Sequence, residues 1–179
     1  MAASFPPPPN PEARVALKSP TGHGLLDGAW WPRSRDLAAQ LPALVGMLDP
    51  LWGRITRVAV NSTLWPVVPR EVPVDGRLLK VGWLTPGLDP HQLLLLVRGT
   101  SRFDLLVIPP ETSAASAARL MAGACTRGGP PPSASALVAA EAARLRDRLQ
   151  GDRRQRPEES RGYEGGATSI PSAPLVVGR

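Results

Sequence analysis

Residues 75–108, DGRLLKVGWLTPGLDPHQLLLLVRGTSRFDLLVI, contain three apolar runs separated by short turns, and this stretch decides the fold class. The first run follows an Asp-Gly pair, which favours a tight turn. Apolar runs of this length between turn residues are typical of strands. The three predicted strands are residues 78–84, 92–98 and 103–108. Loops of a few residues join them, which predicts an antiparallel meander.

The residues before the meander predict two more strands and a helix. Residues 14–18 alternate between polar and apolar side chains, and RITRVAV at 54–60 is rich in β-branched residues. Between them, residues 37–48 have leucine and valine at helical spacing. Ser34 or Asp36 is the expected N-cap of this helix.

After the meander, Thr112 or Ser113 is expected to cap an alanine-rich helix that ends near Ala124. The predicted order of elements is therefore β-α-β-β-β-β-α, which favours an α+β domain. We expect a mostly antiparallel sheet with two helices on one face, followed by a C-terminal helix and flanked by disordered tails.

Composition divides the chain into five predicted segments. Proline dominates the first residues, large apolar side chains concentrate in the middle, and polar residues dominate the end. The segments are a Pro-rich disordered leader (1–13), a single α+β domain (14–125), a Pro/Gly linker (126–134), an amphipathic helix (135–150) and a disordered tail (151–179).

The 179-residue chain has a net charge of +6, and its positive charge is spread along the sequence rather than gathered in one arm. This distribution favours a role in solubility, with attraction to a polyanion as the alternative. The single cysteine, Cys125, excludes an internal disulfide framework and a cysteine-based zinc site. The sequence begins without a signal-peptide pattern and has no apolar run long enough to cross a bilayer, so we expect a cytoplasmic protein without a membrane partner.

No catalytic or cofactor motif is present, so the sequence predicts no catalytic residue, no cofactor and no metal site. His91 lies two residues after Asp89, and such a pair can form a tuned general base. The alternative is that Asp89 and Pro90 form a turn that Asp89 caps. Asp27 and Asp36 flank the tryptophan pair at 30–31, but nothing in the sequence marks either as an acid of raised pKa.

Two of the five tryptophans, Trp30 and Trp31, are adjacent. Neighbouring side chains of an extended chain point to opposite faces, and Pro32 favours extended backbone at the residue before it. We therefore expect one of the pair to lie in the core and the other to line a surface groove with Arg33 and Trp65. Alternation does not fix which face of the sheet is inward; we favour Trp30 as the core residue. The alternative is that the helix or the proline-rich loop covers the second tryptophan as well.

A tryptophan beside arginine is typical of surfaces that stack bases, sugars or prolines. Two stretches, WPR at 31–33 and WPVVPR at 65–70, supply such residues. The predicted binding surface consists of Trp30, Trp31, Arg33, Arg35, Asn61, Trp65, Arg70 and His91.

Four stretches have a familiar pattern: LLDGAWWPRSRDL, LDPLWGRITRVAVNSTLWPVVPR, VPVDGRLLKVGWLTPGLDPHQLLLL and RFDLLVIPPETSAASAARLMAGA. Together they resemble an actinobacterial family known as domain of unknown function 5994, over about residues 14–124. The chain departs from the family pattern at Ser62, where proline is expected, and at Gln92, where lysine is expected. The resemblance implies no activity, substrate or cofactor and therefore assigns no site residue.

Three functions are compatible with these observations. The leading hypothesis is a soluble, non-enzymatic binding module that uses the tryptophan and arginine surface for an unidentified protein or small-molecule partner. The second is an enzyme of unrecognised type that uses His91 and Asp89. The third is a weakly nucleic-acid-associated protein, without specific recognition of nucleic acid. A cluster of the following arginines on one face would favour the third: Arg14, Arg33, Arg35, Arg54, Arg57 and Arg70.

Overall fold

The computed structural model describes residues 12–19, 24–84, 86–99, 101–126 and 132–159, with side chains described up to residue 155. The parts of the predicted leader, linker and tail outside these ranges are therefore not described. The chain divides into two compact units, Met1–Ala142 and Ala143–Arg179, and the sheet lies in the first.

The described residues form seven strands and three α-helices, which confirms the α+β class. Two short strands, β2 and β4, were not among the predicted strands. The elements are β1 (Val15–Leu17), β2 (Gly28–Trp30), α1 (Leu37–Trp52), β3 (Ile55–Val60), a 3₁₀ helix (Ser62–Leu64), β4 (Glu71–Val74), β5 (Arg77–Trp83), β6 (Gln92–Val97), β7 (Arg102–Val107), α2 (Ala114–Cys125) and α3 (Ala134–Glu159).

Local sequence signals place the ends of several elements. The Asp36 carboxylate accepts a hydrogen bond of 3.1 Å from the main-chain N–H of Ala39 and caps α1. Ser113 caps α2 through its side-chain oxygen. Asp75 and Gly76 have φ angles of 46° and 74° between β4 and β5, and two positive φ angles in succession are those of a type I′ hairpin turn. These caps and this turn agree with the sequence prediction.

The sheet is mixed rather than mostly antiparallel. Its strand order is β1-β2-β7-β6-β3-β5-β4. The pairs β2/β7 and β3/β5 are parallel, and the other four pairs are antiparallel. The predicted sheet type is therefore corrected: each parallel pair is closed by a long connection, and sequence patterns do not reveal which strands such connections bring together.

The predicted three-strand meander is only half correct. β6 and β7 pair as expected, but β3 lies between β5 and β6. The connection at 84–91 crosses the end of β3 instead of turning tightly. It is held there by two hydrogen bonds, from the Leu84 N–H to the Val60 carbonyl (3.0 Å) and from Asn61 Nδ2 to the Leu88 carbonyl (2.7 Å).

The helices lie on both faces of the sheet, so the expectation of two helices on one face is wrong. In β7, Leu105 and Val107 belong to the core that α1 covers. Leu106 and Ile108, on the opposite side of the same chain segment, pack with α2. A strand covered on both faces has a nearly continuous apolar sequence, and the LLLL run at 93–96 has this character.

Helix α3 begins one residue before its predicted start and ends at Glu159 rather than at residue 150. Its first turn belongs to the first unit, where Ala134 is buried and Leu137 packs against the α2 cluster. In the second unit, Leu145 and Leu149 of the same helix are exposed. No helix within the described part of the chain is long and apolar enough to cross a membrane.

Candidate functional site

Trp30 lies in the core, as the sequence predicts, with 1% of its surface exposed. Its ring stacks on that of Trp65, with ring centroids 5.7 Å apart and planes inclined by 23°. Trp65 itself is only 4% exposed. The expectation that Trp65 lines a surface groove is therefore wrong, because its ring fills the space beside Trp30 beneath the surface.

Trp31 is partly buried, and the side chain of Arg14 covers its ring. The guanidinium carbon lies 3.5 Å from the ring centroid. Arg14 is held there by two hydrogen bonds that it donates to main-chain carbonyls, those of Trp31 (3.0 Å) and Pro32 (2.8 Å). Burial, followed by the charge of Arg33, lowers the pKa of Arg14. The ring face expected to be free for a ligand is thus occupied by a residue of the chain itself.

The cavity beside this tryptophan pair has a volume of about 20 Å³. A cavity of this size holds about one water molecule, so it cannot take a base, a sugar or a proline. The indole Nε1 of Trp31 is buried here without a hydrogen-bond partner among the described residues. The lining residues are Glu12, Ala13, Arg14, Trp30, Trp31, Arg33, Ala39, Gln40 and Ala43.

Asn61 and Arg35 make structural contacts. The Asn61 side chain is buried and holds the connection that crosses β3, while its Oδ1 accepts a hydrogen bond of 3.0 Å from the Thr63 N–H. Asn61 therefore does not lie on a surface. Arg35 donates to the Leu64 carbonyl at 3.0 Å and forms an ion pair with Glu111. These contacts fix loops to one another rather than leaving groups free for a ligand.

Asp89 and His91 do not form a catalytic pair in this structure. Asp89 accepts hydrogen bonds from the main-chain N–H of His91 (2.9 Å) and from Oγ and N–H of Ser135 (2.6 and 3.0 Å). Burial alone would raise the pKa of Asp89, but these hydrogen bonds outweigh it and lower that pKa. Nδ1 of the partly buried His91 ring has no hydrogen-bond partner among the described residues. Asp89 is thus a turn and helix cap, the alternative that the sequence left open.

Asp27, by contrast, has a raised pKa that the sequence does not reveal. Burial is the main cause, and the charge of Asp104 adds to it, while a hydrogen bond of 2.8 Å from the Asp104 N–H opposes it. The two residues are 77 positions apart, so only the parallel pairing of β2 with β7 brings them together. Within the described residues, no group of three or more His, Cys, Asp or Glu side chains could hold a metal ion.

One part of the sheet is covered on a single face. Helix α1 covers one side of β3, β5 and β4, where Leu79 and Val81 of β5 and Val72 of β4 are buried. On the opposite side, α2 packs over β2 and β7. The alternate residues Leu78 and Lys80 of β5 are exposed there. The second face of β5 and β4 is therefore open. That of β3 is exposed at Arg57 but covered at Ala59, which packs with Leu88 and Leu94.

Two adjoining open grooves lie on this face, with volumes of about 420 and 600 Å³. Both are lined by Arg57 and Lys80, so they form one continuous surface. Trp83, at the end of β5, is 54% exposed and lines the larger groove. We call this surface the basic sheet face and define it by four cations that line it: Arg54, Arg57, Arg70 and Lys80.

The cations of the basic sheet face are unpaired within the described part of the chain. Arg57 stands beside Lys80 in the parallel register of β3 and β5. Neither they nor Arg54 and Arg70 form an ion pair with another described residue. Glu71, in register with Lys80 on its other side, is a carboxylate that lines the larger groove. The surface therefore carries a concentrated positive charge.

Of the predicted binding residues, Arg70 alone belongs to the basic sheet face; Arg33 is exposed but lies at the Trp31 cavity. Sequence reasoning overlooked Lys80. It placed Trp83 on the same face as the buried Leu79 and Val81, and the register agrees, because Trp83 pairs with the core residue Val60. The sequence does place Arg57 and Lys80 at outward positions of two predicted strands. It does not show that these two strands pair, so it could not reveal that the two cations lie side by side.

The fold and this surface define an α+β domain with a mixed seven-stranded sheet and a basic open face. The chain belongs to a family of unknown function, DUF5994, whose model matches residues 14–124. No curated protein and no solved structure matches it. The matched region contains every residue of the basic sheet face and confirms the family that the sequence resembles.

Proposed function

We propose that this chain is a non-enzymatic binding module that holds an anionic partner on the basic sheet face. The observation that carries the proposal is the position of Arg57 beside Lys80 on neighbouring strands, with no ion pair from either to another described residue. Like charges at adjacent positions of a sheet destabilise it. An anionic partner would offset this repulsion when bound.

Other arginines of the described residues support the proposal by contrast, since four of them are paired with acids inside the chain. Arg77 is the most telling, because it also lines one of the grooves but is held by Asp49 and by the Ile55 carbonyl. The ion pairs are Arg35–Glu111, Arg77–Asp49, Arg102–Asp104 and Arg119–Glu141. An acid thus accompanies each of these four arginines, unlike those of the basic sheet face.

The enzymatic alternative has less support. A general base at His91 would need an orienting acid, yet Asp89 contacts the main chain of His91 and both donors of Ser135. A carboxylate with a lowered pKa is also a weak base at neutral pH. We retain the cytoplasmic location that the sequence predicts as part of the binding-module proposal.

The proposal is tested by chromatography of the full chain on immobilised heparin, a polyanion without bases. The double variant Arg57→Ala, Lys80→Ala should elute at clearly lower salt than the unmodified chain, because ionic contacts to a polyanion determine the salt needed for release. The matched control is Arg144→Ala, Arg148→Ala, which removes two exposed charges from α3.

The control variant should elute close to the unmodified chain. If both double variants shift elution equally, binding depends on the dispersed net charge and the basic sheet face is not the site. Thermal unfolding of both variants by circular dichroism shows whether any shift in elution reflects loss of the fold.

A further inference from the structure

We propose that the anionic partner of the basic sheet face is an extended acidic segment of a protein, which adds to the sheet by pairing with the main chain of Trp83 at the edge of β5. This inference rests on the proposed anion-binding function and adds the class of partner. It is carried by the hydrogen-bond directions along β5, by the point where β4 begins, and by the positions of Trp83 and the cations on opposite faces of the sheet.

Strand β4 covers only part of the edge of β5. Its register with β5 ends at Lys80, and one further hydrogen bond joins the Val81 N–H to the Arg70 carbonyl (2.8 Å). Within the described residues, Trp83 has a strand partner only on β3. The last two residues of β5, Gly82 and Trp83, therefore form a short open edge.

The main-chain N–H and C=O of Trp83 point to this open edge. Successive residues of a strand direct these groups to alternate sides. The Val81 N–H points to the β4 side, where it meets Arg70, and the Leu84 N–H points to the β3 side, where it donates to the Val60 carbonyl (3.0 Å). Trp83 follows Val81 by two residues and so presents its donor and acceptor on the β4 side. Such groups at the edge of a sheet are a template for pairing with another chain.

The neighbouring edge of β4 is less suited to pairing. The Arg70 carbonyl points to β5, so by the same alternation Val72 directs its main-chain groups to β5 and Pro73 directs its own outward. Proline has no N–H to donate, and at an edge it interrupts the pairing of an added strand. A chain added on this side of the sheet thus finds a donor and an acceptor at Trp83 that it would not find at Pro73.

The larger groove, of about 600 Å³, reaches this edge, because residues of both sheet faces line it. Arg57 and Lys80 are on the open face. Trp83 is on the α1 side, in register with the core residue Val60, and 54% of its surface is exposed. A chain lying along the edge can contact both faces at once.

An extended chain at this edge would meet different chemistry on its two sides. Its successive side chains point to opposite faces, so the residue opposite Trp83 contacts the exposed ring and the residues on either side of it face Arg57 and Lys80. A Cβ placed on Gly82 would meet no atom within 4 Å, so the space between these residues and the cations is open.

Alternating apolar and acidic residues fit both sides of the edge. When a strand is added to a sheet, main-chain hydrogen bonds give affinity and the alternate side chains give specificity. A nucleic acid and a lipid surface offer phosphates, but they lack the repeating N–H and C=O groups that pair with the main chain of Trp83. An extended acidic peptide offers both.

The test is a fluorescence-anisotropy titration of the full chain with two labelled peptides of about eight residues, within the usual length of a strand. In one peptide glutamate and valine alternate. In the other the same glutamates precede the same valines, so composition and charge are equal. The alternating peptide should bind about tenfold more tightly, because only its pattern places valine at Trp83 with glutamate on both neighbouring positions.

Two substitutions at residue 83 separate the ring from the main chain. Trp83→Ala removes the ring alone, whereas Trp83→Pro also removes the outward N–H, and proline is tolerated at an edge position whose N–H is not bonded within the sheet. Trp83→Pro should bind the alternating peptide about fivefold more weakly than Trp83→Ala, the effect of one hydrogen bond. Both should elute from heparin as the unmodified chain does, and circular dichroism checks that both are folded.

The cations are tested with the two double variants already described. Arg57→Ala, Lys80→Ala should weaken binding of the alternating peptide and of heparin together. The control Arg144→Ala, Arg148→Ala should leave peptide binding unchanged.

N-methylated peptides test the main-chain hydrogen bonds without any change to the protein. In one alternating peptide the valine amides are methylated, and in another the glutamate amides. One of the two should lose about fivefold in affinity, since only alternate amides of an added strand face the sheet. Loss with methylated valine indicates an antiparallel strand, and loss with methylated glutamate a parallel one. Equal effects of the two would contradict main-chain pairing.

Three further results would overturn this inference and leave the proposed function standing. The first is equal affinity for the alternating and the grouped peptide. The second is tighter binding of single-stranded DNA, or of vesicles containing phosphatidylserine, than of the alternating peptide. The third is a dimer in sedimentation velocity that Trp83→Pro abolishes, which would assign the edge to a second copy of the chain. If Arg57→Ala, Lys80→Ala leaves every polyanion bound as before, the proposed function fails as well.

Discussion

Trp30 and Trp31 are neighbours in the chain, yet their side chains have different surroundings. Trp30 lies in the core that α1 covers and stacks on Trp65. Trp31 packs at the edge of the α2 cluster and is covered by Arg14. The alternation of side chains along extended backbone explains this difference. It also means that the two residues should contribute unequally to stability.

Trp30→Ala should lower the free energy of unfolding by about 3–5 kcal/mol, as expected for removal of a large buried aromatic side chain. Trp31→Ala should lower it by about 1–2 kcal/mol, because the ring is partly exposed and loses mainly its contact with Arg14. Urea denaturation followed by circular dichroism measures both values. The exposed Trp83→Ala serves as a control and should change stability by about 0.5 kcal/mol or less. Equal and large losses at Trp30 and Trp31 would contradict this interpretation.

Among the elements, β3 determines the strand order, because it lies between β6 and β5. It pairs antiparallel with β6 on one side and parallel with β5 on the other. Val58 and Val60 face the core under α1, whereas Arg57 faces the open side. The pairing with β5 places Arg57 beside Lys80. The same strand pairing that completes the core thus creates the charge repulsion of the basic sheet face.

Arg57→Glu should therefore stabilise the protein by about 0.2–1 kcal/mol at low salt, because it replaces a like-charge pair by an opposite-charge pair on neighbouring strands. The gain should shrink as salt screens the pair. Urea denaturation at low and high salt measures it. Arg54→Glu makes the same change of charge outside the strands and should have a smaller effect. A loss of stability in Arg57→Glu would show that Arg57 has a stabilising role in the fold.

For the molecule as a whole, the beginning of α3 belongs with the sheet unit. Asp89 accepts two hydrogen bonds from Ser135. Arg119 of α2 forms an ion pair with Glu141, whose side chain is 10% exposed. Leu137 comes close to α2 at Gly123, where a Cβ would lie 3.1 Å from its side chain. The sequence predicts that residues 14–125 fold alone, and a fragment ending at 125 would lack all of these contacts.

A chain ending at residue 142 should consequently be more stable than one ending at 125, by about 2 kcal/mol, the value for burying one large apolar side chain. Thermal and urea denaturation of the two fragments measures the difference. In the full chain, Asp89→Ala should cause a smaller loss, because it removes only the contacts with Ser135 and the His91 N–H. Equal stability of the two fragments would place the domain boundary at 125, as the sequence predicts.

The sequence by itself determined the features that depend on a few neighbouring residues. The cap at Asp36, the cap at Ser113 and the turn at 75–76 follow from side-chain hydrogen bonds and φ preferences that act within one turn of chain. The different surroundings of Trp30 and Trp31 follow from local alternation, but which of the two is buried depends on which face of the sheet the core covers. The caps and the turn need no distant partner, so the pattern of residues is sufficient to predict them.

Only the tertiary structure decided the strand order, the two parallel pairs and the placement of helices on both faces. The LLLL run at 93–96 is apolar on both sides and does not say which helix each side meets. Arg57 and Lys80 become neighbours because β3 takes the place beside β5 that the meander had assigned to β6. Pairing between distant strands is decided by burial over the entire core, which no local pattern contains, and the candidate site depends on that pairing.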